Sequence, residues 1–261
     1  WEQYAERVYK FFAVKPKVNV DLDMTLEEPL LHGDGWSIHP NLRENYARMG
    51  NIAYPIDFYS VAGGESAFIA FDPDAPELVY GGTYQGNIST WSRKSREQKS
   101  IKEYPELGLS IAPKDSKYRY NWNAPIITSP HHRATVYHAG NVVFKTIDQG
   151  INWSVISPDL TKNEITKHGP GGGPYTNEAA GGENYNTLTA LVESTHEKGV
   201  LYAGSDDGLL HITKNGGESW ENITPEGIKD GIINSIDVSQ HDPATAYVVI
   251  MRYKSMDLNS H

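Results

Sequence analysis

The sequence predicts an all-β chain, a β-propeller of four-stranded blades. About three and a half blades make a partial ring, behind an irregular, partly helical N-terminal segment. Three observations carry this. Related text returns several times from Tyr59 onward. The pattern Ser/Thr-x-Asp-x-Gly-x-x-Trp occurs at Thr146 to Trp153, and again at Thr213 to Trp220 with Asn215 in the place of Asp148. The 16 Tyr and 6 Trp among 261 residues suit strands better than helices.

Residues 1–57 stand apart as an N-terminal appendage, and residues 58–261 carry the blades. Trp1, Tyr4, Ala5, Val8, Phe11 and Phe12 recur at helical spacing, with charges between them. Val18 to Leu22 alternates like a short strand, and Met24 to Tyr54 is irregular. His32, Asp34 and His39 lie close in sequence but lack the rigid spacing of a metal site, so no metal is expected there.

Three repeat units follow, Ser60 to Ile101, Tyr120 to Leu160 and Asn186 to Pro225. A fourth starts at Ile233. Tyr80, Tyr137, Tyr202 and Tyr247 hold equivalent places, each after a turn rich in polar residues or proline. In each complete unit four short strands are expected, the signature of a propeller blade. A single blade cannot bury both faces, so neighbours must stack. The motif itself reads as a hairpin tip. Asp148 bonds backbone N–H groups of its own turn, Gly150 takes a positive φ, and Trp153 folds onto the sheet below. Gly217 and Trp220 play the same parts in the second copy, around Asn215. All six residues are structural on this reading.

Two connections are long. Ser92 to Lys117 carries a degenerate hairpin without the motif, and Lys162 to Tyr185 is rich in glycine. Loops of that length in a compact domain are functional sites or plain insertions.

Composition sets further bounds. A net charge of −10 opposes non-specific nucleic-acid binding and favours neutral or cationic partners. The absence of cysteine removes disulfides, cysteine zinc sites and thiol catalysis. No run of about 18 apolar residues suggests a membrane span. No cofactor is implied. A first residue other than Met gives the expectation of a mature form or a fragment. Asn87, Asn152 and Asn222 begin Asn-x-Ser/Thr triplets, which carry meaning only for a glycosylating host.

The repeated motif is usually called an Asp-box. The stretches Phe58 to Ser66, Tyr118 to Ile126, Phe144 to Thr161, Glu197 to Gly208 and Ala246 to Asp257 resemble bacterial exported Asp-box propellers, described as sortilin-like or as BNR-repeat glycosyl hydrolases. Residues 1–57 fall outside the resemblance. It implies a propeller scaffold and a secreted or periplasmic location, and members of that family are longer. A wider resemblance is to xyloglucanase-type Asp-box hydrolases. There Tyr84 stands where a catalytic aspartate is expected, and a tyrosine cannot serve as a carboxylate base near neutral pH. Glycoside hydrolysis needs two carboxyl groups about one bond. Sialidases need an arginine cluster, and Arg93, Arg96, Arg119, Arg133 and Arg252 form no evident trio.

No catalytic set is therefore expected. Glu65, Arg119, Glu183, Tyr185, Asp206 and Asp207 are the candidate ligand-binding residues, at places expected to face a channel or a rim. The competing reading gives them inter-blade hydrogen bonds. The leading functional expectation is a binding module for a peptide or glycan within a larger protein. The alternatives are a glycoside hydrolase and a purely structural segment. Further blades or self-association are expected to cover the exposed edge of the fourth unit.

Overall fold

The computed structural model describes residues 30–31, 37–38, 61–65, 68–72, 75–106, 111–169, 184–228 and 230–253. The chain divides into two units, Trp1–Ser60 and Val61–His261. In the first, β1 (Leu30–Leu31) pairs antiparallel with β2 (Ser37–Ile38), inside the stretch read as irregular. The helix expected over residues 1–12, the strand over residues 18–22, and His32, Asp34 and His39 lie outside the described residues. So do Glu183 and most of the Gly-rich connection.

The second unit is all-β. The first sheet is β3 (Ile69–Asp72), β4 (Ala75–Thr83), β5 (Asn87–Ser92) and β6 (Gln98–Ser100). The second is β7 (Ile126–Thr128), β8 (Val136–Ala139), β9 (Val143–Thr146) and β10 (Ser154–Val155). The third is β11 (Leu188–Glu193), β12 (Leu201–Ser205), β13 (Leu210–Thr213) and β14 (Glu221–Asn222). Each is an antiparallel meander in chain order. A hairpin of β15 (Ile232–Val238) and β16 (Ala246–Met251) follows. Between these strands the described residues form short 3-10 turns at Pro113–Asp115 and Ile165–Lys167. The repeat units read in the sequence coincide with these sheets. Among the described residues the sheets do not close on one another.

The cores lie between successive sheets. Ala70, Tyr80, Ile88, Ile126 and Val136 are buried together where the first sheet meets the second. Tyr137, Val143, Leu188, Leu191 and Leu201 fill the next junction. Tyr202, Leu210, Ile212, Ile233 and Ile236 fill the third. The repeated tyrosine thus packs toward the sheet that follows. Tyr247, the fourth in the series, is 66% exposed.

The hairpin tips that carry the repeated motif explain how the sheets hold each other. The Thr146 hydroxyl donates to Asp148 Oδ1 at 2.8 Å and accepts the Gly150 N–H at 2.9 Å. The Asn152 N–H donates to the same carboxylate oxygen at 2.8 Å. In the second tip Thr213, Asn215, Gly217 and Ser219 repeat these bonds, so an amide oxygen replaces the carboxylate without loss of geometry. Both glycines have left-handed φ, 90° at Gly150 and 102° at Gly217. A Cβ on Gly150 would lie 2.5 Å from Ile101 Cδ1, and one on Gly217 would lie 2.5 Å from the Ile156 carbonyl oxygen.

The tryptophans do more than fold onto their own sheet. Trp153 Nε1–H crosses to the Ile101 carbonyl at 2.7 Å, and Trp220 Nε1–H crosses to the Ile156 carbonyl at 2.8 Å. Each tip is thereby tied to the preceding sheet. A second tie runs the other way. His131 Nε2 meets the Ser194 carbonyl at 2.7 Å, and His196 Nε2 meets the Ser239 carbonyl at 3.0 Å. Both histidines sit in Ser-x-His turns, where the serine hydroxyl accepts the histidine N–H.

Trp220→Phe keeps most of the ring's packing and deletes one indole donor. It is expected to lower stability by about 1 kcal/mol, the value of a hydrogen bond whose acceptor stays behind. Trp220→Ala is expected to cost on the order of 3 kcal/mol. Urea midpoints of the two variants check this, and equal midpoints for wild type and Trp220→Ala would overturn it.

Candidate functional site

Arg119, Asp206 and Asp207 meet between the second and third sheets. Arg119 Nη2 pairs with Asp159 Oδ2 at 2.6 Å, and its Nε–H donates to the Asn186 carbonyl at 3.2 Å. Asp159 also accepts the Asn141 amide at 2.9 Å and the Thr161 hydroxyl at 2.6 Å. Asp206 takes the Thr187 N–H at 3.0 Å and its hydroxyl at 2.8 Å. Asp207 accepts the Asn186 side-chain amide, the Lys162 N–H at 2.8 Å and the Ser205 hydroxyl at 2.5 Å. The charge–charge and charge–amide bonds are the strong kind. Here they link five separated chain segments, around residues 119, 141, 159–162, 186–187 and 205–207, into one network.

His168 completes that network. Its Nε2 lies 2.7 Å from Asn186 Oδ1. The Asn186 amide nitrogen is committed to Asp207, so its oxygen accepts and His168 Nε2 carries the proton. Burial pushes the His168 pKa below its usual value, against the upward pull of the Asn186 bond, and nearby Arg119 lowers it further. Tyr185 is buried beside this region, with Lys167 Nζ 5.1 Å from its ring centre. Glu65 is far more open. It follows Gly63 and Gly64, which lie along β4 through the Gly64 N–H to Gly82 carbonyl bond at 2.9 Å. The expected site residues thus fall in different places, with Arg119, Asp206 and Asp207 together and Glu65 exposed elsewhere.

An open, chemically mixed surface lies at the junction of the first and second sheets. A small cleft is lined by Gln85, Lys102, Glu106, Tyr118, Tyr120 and Asn184. Close to it in the chain, Tyr84 and Trp122 stack at 5.7 Å with a 32° tilt, and both are half-exposed. Lys117 Nζ sits 4.2 Å from the Tyr104 ring centre and 5.3 Å from that of Tyr118. Lys102 Nζ bonds the carbonyls of Gln85 at 3.1 Å and Glu106 at 2.8 Å, and burial lowers its pKa. A Cβ at Gly86 would overlap the Tyr120 ring, so glycine lets the β4–β5 turn sit on that aromatic floor.

Beneath the cleft, Glu103 accepts the Tyr120 hydroxyl and meets His138 Nδ1 at 3.1 Å. The side chains of Glu103 and His138 are each 1% exposed. Burial raises the Glu103 pKa, but His138 and Tyr120 outweigh it and the net shift is downward. Tyr120 is pushed well above the usual tyrosine range by burial and by Glu103. This group holds the β6–β7 connection on β8 and supports the cleft floor. Nothing in the sequence flagged Glu103 or His138, because their contact joins positions 35 residues apart and Glu103 lies in non-repeated text. Tyr84 was legible as a departure from a family pattern, and Trp122 as part of the family-like stretch Tyr118 to Ile126.

Neither a family model nor a curated protein matches the chain. Among solved structures it is similar to the crystal structure of the GH74 xyloglucanase from Xanthomonas campestris, with a TM-score of 0.48 and 15% identity. The match covers 73% of this chain and 28% of that one.

The buried His168 generates a pH prediction. Its folded pKa lies below the unfolded value of about 6.5, so the unfolded state binds the proton first. Its contribution is therefore complete above about pH 6.5 and is lost as pH falls through the folded value. His211, also lowered by burial, adds to the same slope. His168→Gln is expected to flatten the pH dependence of the urea midpoint between about pH 7 and pH 5. An unchanged slope would refute the placement of His168 as a buried neutral donor.

Proposed function

We propose that the second unit is an arc of β-propeller blades that serves as a binding module, and that it holds a short, neutral glycan at the aromatic cleft between the first two sheets. The observation that carries this is the half-exposed Tyr84–Trp122 pair, close in the chain to a cleft lined by lysine, amide and hydroxyl groups. Aromatic faces cover the apolar faces of sugar rings, while a few placed polar groups fix orientation. Lys102 gives donors, and Gln85 and Asn184 give both donors and acceptors.

Binding is favoured over hydrolysis by the carboxylate count. Glu106 is the carboxylate lining the cleft, and Glu103 is sealed beneath it by Tyr120 and His138. Two carboxyl groups flanking one bond are needed for the usual glycosidase mechanisms. On this reading Arg119, Asp206 and Asp207 brace the sheet junction. Glu65 and Glu183 remain candidate contacts, whereas Tyr185 is buried. A secreted or periplasmic site of action is part of the proposal and fits a glycan ligand.

Glycan-array screening of the 261-residue chain, followed by calorimetric titration of hits, tests the proposal. Tyr84→Ala and Trp122→Ala are each expected to weaken binding at least about ten-fold, as loss of an aromatic anchor does. Thermal melting should hardly change. Retention of peptides but not glycans would move the reading to peptide recognition. Turnover lost in Glu106→Gln would replace it with hydrolysis.

A further inference from the structure

We propose that Tyr104 and Tyr118 form the walls of a binding site for a trimethylammonium group of the kind choline carries, and that the Lys117 ammonium stands in for that group when none is bound. The proposal does not rest on the glycan reading, with which it shares one residue, Tyr118.

The walls are built before any ligand arrives. The two rings are inclined at 82° with their centres 6.0 Å apart, and so meet at a corner. Tyr118 is half-buried. The Phe144 ring stands against it at 4.8 Å and 87°, which ties its orientation to the core of the second sheet. Tyr104 is 37% exposed and leaves the corner open to solvent. The chain on either side holds it in place. Glu103 is sealed against His138, and the Glu106 N–H donates to the Tyr104 carbonyl at 2.8 Å.

The corner already holds a cation. Lys117 Nζ lies close enough to both ring centres, at 4.2 Å and 5.3 Å, to be drawn to their faces. Among the described residues no carboxylate or carbonyl oxygen lies within hydrogen-bonding distance of it. Other lysines near these sheets are served differently. Lys102 donates to the carbonyls of Gln85 and Glu106, Lys162 reaches Asp230, and Lys167 reaches Glu164. An ammonium has three N–H donors, which ring faces satisfy poorly. A quaternary ammonium has none, so it gives up no hydrogen bond on entering a site made of ring faces. The corner therefore suits a methylated cation better than the lysine that lies in it.

Displacement is open to Lys117. The residue is exposed, and its backbone N–H is held by Glu106 Oε2 at 3.3 Å, so the side chain can turn to water while the backbone stays. Glu103 and Glu106 flank Tyr104 in the chain and lend the site negative potential, in line with the net charge of −10. The same carboxylates oppose a cation followed closely by an anion. The expected ligand is thus choline itself rather than a phosphocholine headgroup.

Choline is titrated into the 261-residue chain and followed by the resonances of its methyl groups and of the tyrosine rings. Saturable binding is expected, with a Kd of about 1 mM or weaker. Lys117→Ala should bind about three-fold more tightly, because the competing cation is gone. Tyr104→Ala should abolish binding and, as a change at the surface, should melt with the wild type. The neutral analogue of choline, with a tert-butyl group in place of the trimethylammonium, should bind about five-fold more weakly. No saturable binding to Lys117→Ala up to about 10 mM, equal affinity for the neutral analogue, or undiminished binding to Tyr104→Ala would each overturn the proposal. So would retention on phosphatidylcholine vesicles without affinity for free choline. If choline binding fails while glycans are still retained, the cation site falls and the glycan reading stands.

Discussion

The hydrogen bond from the indole of a repeated hairpin tip to a carbonyl of the preceding sheet is the constraint on which the rest depends. A four-stranded meander has two apolar faces and cannot cover either alone. Burial between sheets supplies the driving force, but burial is non-directional and would tolerate sliding. The indole bond removes that freedom. Trp153 can reach the Ile101 carbonyl, and Trp220 the Ile156 carbonyl, only at one rotation between neighbouring sheets. The imidazole bonds from His131 and His196 fix the same rotation from the opposite direction. With both ties at one junction, the inner-strand packing of Leu188, Leu191 and Leu201 against Tyr137 and Val143 follows.

Much of this scaffold was legible in the sequence, because repetition is itself a record of the constraint. The glycines, the threonines and the tryptophans of the tips recur at fixed spacing since each has a steric or hydrogen-bonding task that few residues can perform. The substitution of Asn215 for Asp148 shows what the task is. It calls for an oxygen that accepts the N–H four residues on, and an amide oxygen serves. The destination of the indole was not legible. A tip motif describes its own turn, whereas the acceptor is a backbone carbonyl with no side-chain signature. The Ser-x-His ties were equally hidden, although Ser129, Ser194 and Ser239 and the histidines after them are visible once aligned.

The candidate site was read far less well, and the reason is physical. Polar residues such as Arg119, Asp206 and Asp207 stand out in a sequence whether they bind a ligand or each other. Only the folded chain shows that their oxygens and nitrogens are committed to Asp159, Asn186, Thr187 and Lys162. A ligand entering there would have to break several charge-assisted bonds before making any. Aromatic residues pose the reverse problem. Tyr84 and Trp122 look like ordinary core formers in a chain with this much tyrosine. Their half-exposed, tilted stack becomes evident only when the β4–β5 turn and the segment before β7 are brought together.

Repetition and irregularity therefore separate along the chain. Residues that recur from sheet to sheet make the junctions, and residues that break the repeat gather at one of them. The β6–β7 connection contributes Lys102, Glu103, Tyr104, Glu106 and Lys117, none of which has a counterpart in the shorter connection between the third sheet and β15. Glu103 anchors this departure. Its carboxylate is held ionised between His138 and Tyr120, and removing either partner would leave a buried charge short of compensation. The connection is thus pinned to β8 through a group that the repeat does not supply. An irregular segment fixed so firmly on a regular scaffold can hold Lys117 over Tyr104 and Tyr118 without relying on its own backbone pairing. The β4–β5 turn and the β6–β7 connection give the cleft its walls, and the single non-repeated carboxylate gives it a fixed floor.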